Sequence, residues 1–100
     1  MTEASKSFDN YLLEQLKDPV FRKEYLKEAL IDEDPRLFLH ALHLAIKASD
    51  KTMKELAEIS GVKREHLHRA LSLTGNPSWS IVYQILQGLG YDLSIKKRST

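Results

Sequence analysis

Apolar positions recur at helical spacing along most of this chain, and they divide it into a series of helices. Phe8, Tyr11, Leu12, Leu13 and Leu16 predict a short first helix, with Ser7 as a candidate cap. Residues 1–6 are small and polar, as in a frayed end. Asp18-Pro19 supplies a cap and a proline suited to a first helical position. Phe21, Tyr25, Leu26, Ala29 and Leu30 then stripe a helix reaching about Ile31, opposite Arg22, Lys23, Lys27 and Glu28. Asp34-Pro35 repeats the start signal. The helix after it, to about Ser49, is apolar on more than one face: Phe38, Ala41, Leu42, Ala45 and Ile46 form one stripe, with Leu37, Leu39 and Leu44 off it. Such a helix belongs in a core.

After a short helical pair, Gly75-Asn76-Pro77 signals a loop, and Ser78 or Ser80 can cap the next helix. That helix carries Trp79, Ile81, Val82, Ile85, Leu86 and Leu89, all expected inside, and Gly88 and Gly90 are expected to mark its end. The period then changes. Tyr91, Leu93 and Ile95 alternate with polar residues, predicting a strand. With no second strand in the chain, it is expected to pair with its copy in a homodimer. A basic tail through Lys97 and Arg98 is the competing reading.

The pair from Thr52 to Ser72 carries the candidate chemistry. Thr52 and Glu55 have the spacing of a capping box, Leu56 and Ala57 face inward, and Gly61-Val62 makes the turn. Leu67, Ala70 and Leu71 define the buried side of the second helix. This is the layout of a helix-turn-helix, whose second helix enters the major groove. Arg64, Glu65 and Arg69 are then the base-reading candidates, since arginine pairs bidentately with guanine and glutamate accepts from cytosine. Lys63, His66, His68, Thr52, Lys54 and Ser78 are candidates for phosphate contacts. The plainer alternatives are a solvated Glu65–Arg69 ion pair and a core position for Trp79.

Charge adds an asymmetry to this picture. Residues 1–50 hold seven Lys/Arg and ten Asp/Glu (−3), whereas residues 51–100 hold eight and four (+4). A basic half suits a polyanion and an acidic half suits a basic partner, although scatter over a small surface gives the same numbers. There is no cysteine, which excludes disulfides and thiolate metal sites. His40 and His43 have metal-ligand spacing but no evident third ligand, so no metal or other cofactor is expected. No nucleophile, phosphate loop or metal cluster supports an enzyme. Apolar runs of at most three residues predict no membrane span, and no signal peptide is evident, so a soluble cytoplasmic protein is expected.

The residues Tyr25-Leu26, Ala29-Leu30, Asp34-Pro35, Leu56-Ala57, Gly61-Val62, Arg64-Glu65-x-Leu67, Leu71-Ser72, Gly75-Asn76-Pro77-Ser78, Leu86, Leu89 and Gly90 carry a resemblance. From about Pro35 to Ile95 the chain resembles the Xre-type, lambda-repressor-like helix-turn-helix domain. More narrowly, about nine-tenths of it resembles the HigA-like addiction-module antidote proteins of type II toxin–antitoxin systems. The resemblance implies an all-α bundle with added N-terminal helices (1–33), a DNA-binding domain (34–100) and a C-terminal dimerisation strand. It implies a homodimeric repressor that binds operator DNA of its own operon and neutralises a small basic toxin of the RelE or HigB type. A stand-alone Xre regulator, or a helical interaction module that never meets DNA, remains the alternative. Two departures stand out: Ser60 where an apolar residue is usual, and Lys63 where a serine or threonine cap is common.

Overall fold

The computed structural model describes residues 10–72 and 75–97, and all regular structure within them is helical. The expectations at Ser7, Phe8 and Arg98 lie outside those residues. The chain forms two compact units, one ending at Lys51 and one beginning at Thr52. The sequence places a boundary at 33/34, at a helix start signal; the compact units divide one helix later, because the helix that begins at Pro35 packs against the one before it.

In the first unit, α1 covers residues 10–15, α2 is Pro19–Ile31 and α3 is Pro35–Ala48. Both Asp-Pro signals work as expected. The Asp18 carboxylate accepts from the Val20 N–H at 2.9 Å, and that of Asp34 from the Arg36 N–H at 3.0 Å. In each case proline occupies the first turn, where its missing N–H costs nothing. Leu12, Leu16, Leu44 and Ala48 form a buried cluster, with Leu13, Phe21 and Tyr25 packed on it. The Phe21 and Tyr25 rings stack with centroids 6.3 Å apart. Burying leucines such as Leu12 in α1 and Leu16 just after it contributes about 1.5–3 kcal/mol each, which ties this stretch to α3.

Seven buried residues make α3 the most buried of the described helices, as its all-round apolar pattern predicts, although Leu37 at its start is exposed. On α2 the expected stripe is only partly internal: Leu26 is buried, Phe21, Tyr25 and Ala29 are half-buried, and Leu30 is exposed. Arg22 corrects its expected place on a solvated charged face. Its guanidinium Nε donates to the Leu16 carbonyl at 2.9 Å and Nη2 to that of Lys17 at 3.3 Å, satisfying carbonyls left open where α1 ends.

The second unit contains α4 (Met53–Ser60), α5 (Arg64–Ala70) and α6 (Trp79–Gly88), with α4 packed against both of the others. Val82, Ile85 and Leu86 bury the inner face of α6. Trp79 does not join them. It is 62% exposed at the first position of the helix, ahead of the turn where packing begins, and lies 6.0 Å from the exposed Tyr83 ring. Gly88 is also more than an end signal. A Cβ there would come within 2.9 Å of the Ser60 Cα and 3.0 Å of the Ile59 carbonyl group, so its bare backbone is what lets α6 approach the end of α4.

The expected C-terminal strand is absent: residues 91–97 take no regular structure. The chain turns back at the end of α6, where the Tyr91 N–H donates to the Leu86 carbonyl at 2.9 Å. Gln87 Nε2 then donates to the Tyr91 carbonyl at 3.2 Å and to the Asp92 carboxylate at 3.4 Å. Those bonds hold the start of the segment to the helix, and a single chain offers it no ladder partner.

Candidate nucleic-acid interface

The α4–α5 hairpin is built from three local devices. Thr52 Oγ1 accepts from the Glu55 N–H at 3.1 Å while the Glu55 carboxylate accepts from the Thr52 N–H at 3.0 Å, completing the capping box. Gly61 caps the other end of α4 at φ +75°, a left-handed conformation suited to glycine, and its N–H donates to the Ala57 carbonyl at 2.9 Å. Val62 is buried at the corner. The Ser60 departure has a use: its hydroxyl accepts from the Val62 N–H at 3.2 Å, holding the turn by a polar bond.

Lys63 stands in extended conformation before α5 and makes no side-chain cap bond, and the helix begins at Arg64. Leu56 and Leu67 are fully buried, while Ala57, Ala70 and Leu71 are half-buried. At about 100° per residue, Arg64, His68, Glu65 and Arg69 spread over roughly 140° on the other side of α5. All four are exposed. Their side chains form no hydrogen bond or ion pair with other described residues; the described ion pairs are Lys17–Glu14 and Arg36–Asp34. Glu65 and Arg69 therefore form no ion pair with each other.

The histidines separate. His68 shares the exposed arc with the three expected base readers, whereas His66 is half-buried on the flank. There His66, Arg69 and Ala70 line an open groove of ≈ 310 Å³ with Asn76, Pro77, Ser78 and Ile81. The structure thus brings His66, Arg69 and Ser78 to one concavity, where Ser78 Oγ accepts from the Ile81 N–H at 3.3 Å and caps α6. Asn76 and Pro77 were legible as loop residues but not as lining residues, because spacing does not show which side of a loop faces a groove. Lys63 and Lys54 are exposed, as is Thr52, whose hydroxyl oxygen is engaged in the capping box.

Of the expected dimerisation residues, Tyr91 and Leu93 are half-buried, and Ile95 is fully exposed at 102%. None of the described helices is long and apolar enough to cross a membrane. His40 is exposed on α3 and His43 half-buried.

The profile of the probable addiction module antidote protein family matches residues 5–97, nearly the whole chain and all of the hairpin. The chain belongs to that family. An uncharacterised protein of Haemophilus influenzae is similar to it, at 33% identity over 97 residues, covering 97% of this chain and 96% of the relative. No solved structure matches the chain. Membership of the antidote family carries a toxin as the implied partner.

Proposed function

We propose that this antidote-family chain is a sequence-specific DNA-binding repressor that autoregulates its operon and neutralises a small basic toxin of the RelE or HigB type. The observation that carries the DNA half is α5: one side is anchored through buried Leu67, and the other presents Arg64, Glu65, His68 and Arg69 to solvent with no partner among the described residues. An Xre-type helix-turn-helix uses such a helix in the major groove, with Arg64, Glu65 and Arg69 reading base edges. Lys63, His66, His68, Thr52, Lys54 and Ser78 take phosphate contacts, with His66 and Ser78 in the groove beside Arg69.

The protein acts in the cytoplasm as a homodimer and by binding rather than catalysis. The segment after Gly90, with Tyr91, Leu93 and Ile95, supplies the dimer contact; the exposed Ile95 supports this reading. Truncation after Gly90 is expected to give a monomer by sedimentation, and an intact dimer would rule that contact out.

A reporter driven by the DNA upstream of the chain's own gene tests the repressor. Supplying the protein should lower expression, and Arg64→Ala/Arg69→Ala should restore it. Unchanged expression with the wild-type protein would reject the repressor reading in favour of an interaction module that does not meet DNA.

A further inference from the structure

The corner between α2 and α3 exposes more apolar surface than its own folding requires. Leu30 is 47% exposed, Ile31 72% and Leu37 48%, all within the last two residues of α2 and the first turn of α3. Single exposed apolar residues are ordinary on a protein surface; three gathered at one tight corner mark a contact surface. The corner is held in shape by its own bonds. The Asp32 carboxylate accepts from the Asp34 N–H at 2.9 Å, the Asp32 N–H donates to the Ala29 carbonyl at 3.4 Å, and Asp34 caps α3.

Charge selects the occupant. Residues 28–37 hold Glu28, Asp32, Glu33 and Asp34 against Arg36 alone, and the lysines of α2, Lys23 and Lys27, precede them. Asp32 and Asp34 are engaged in shaping the corner, and Arg36 pairs with Asp34 at 3.0 Å. Glu28 and Glu33 are exposed and form no hydrogen bond or ion pair with other described residues. A second copy laid symmetrically on this corner would bring acid against acid, and DNA would be repelled. A basic protein fits both the apolar centre and the acidic rim.

We propose that the Leu30–Ile31–Leu37 corner, rimmed by Glu28 and Glu33, is the surface on which the chain binds its basic protein partner. This rests on the antitoxin reading and assigns it residues other than those of α5. The test is titration calorimetry of the full chain against the purified protein encoded by the neighbouring gene, at low and moderate salt. Wild-type binding should weaken as salt rises. Leu30→Ser/Ile31→Ser/Leu37→Ser should lower affinity at least tenfold, and Glu28→Lys/Glu33→Lys should lower it and flatten the salt dependence. Circular dichroism melts report whether each variant stays folded. If the serine variant unfolds, the lysine variant decides, since its two positions hold no described bond. Binding within twofold of wild type in the folded variants would overturn the surface and leave the antitoxin reading intact. No binding by the wild-type chain would overturn that reading and the surface with it.

Discussion

At the scale of single residues, the side chains that shape the hairpin and those proposed to meet DNA are largely different, so their substitutions should separate in experiment. Thr52→Ala removes the hydroxyl that accepts the Glu55 N–H and should cost about 1 kcal/mol of stability, measured by urea unfolding. Arg64→Ala and Arg69→Ala remove exposed side chains without a described partner and should leave the melt unchanged. If they read bases, each should weaken operator binding by about 1–3 kcal/mol and relax base preference in a competition assay. Equal weakening on every duplex would make them phosphate contacts. Asp34 gives a pH signature. Its hydrogen bond from the Arg36 guanidinium, then that from the Arg36 N–H, holds its carboxyl below the usual carboxylate range. A carboxyl depressed in the folded state contributes stability above its unfolded pKa and loses it as pH falls through the folded one. The gap in urea midpoint between wild type and Asp34→Asn should therefore close as pH drops below the ordinary aspartate range.

The elements show what the sequence could and could not convey. Helix starts were legible because their signals are local: Asp18-Pro19, Asp34-Pro35 and Thr52 with Glu55 act within one turn, and all three cap as read. The exposed side of α5 was legible too, since a single buried Leu67 fixes its rotation. Features that depend on packing between elements were not. Trp79 continues an apolar stripe in sequence, but at the first position of α6 it lies ahead of the buried Val82, Ile85 and Leu86. Gly88 carries the two meanings of a terminator and a contact point, and only the approach of α4 distinguishes them. Arg22 reads as a solvated charge until the end of α1 lies beside it. Gly88→Ala should accordingly destabilise the second unit by about 1–3 kcal/mol, because the added methyl meets backbone rather than a movable side chain. Gly61→Ala should also destabilise, for a different reason: it forces a side chain into φ +75°. A thermal melt of Gly88→Ala matching wild type would show that α4 and α6 can separate at no cost.

For the whole molecule, the division of charge runs with the division into units: the acidic residues concentrate before Lys51 and the exposed cations of the hairpin after it. Family membership implies a partner protein, and the exposed side of α5 is the ground on which a nucleic-acid ligand is proposed. The alternating segment after Gly90 predicts a strand by its period alone, and period does not supply the second strand that a ladder needs. The central claim is that α5 reads the operator. Its most direct test is equilibrium binding of the full chain to the DNA upstream of its own gene and to a scrambled duplex, across a salt series. The logarithm of the affinity for both should fall linearly with log salt as phosphate contacts release counterions, with the upstream duplex bound more tightly throughout. Equal affinity for the two duplexes, or an affinity indifferent to salt, would contradict it.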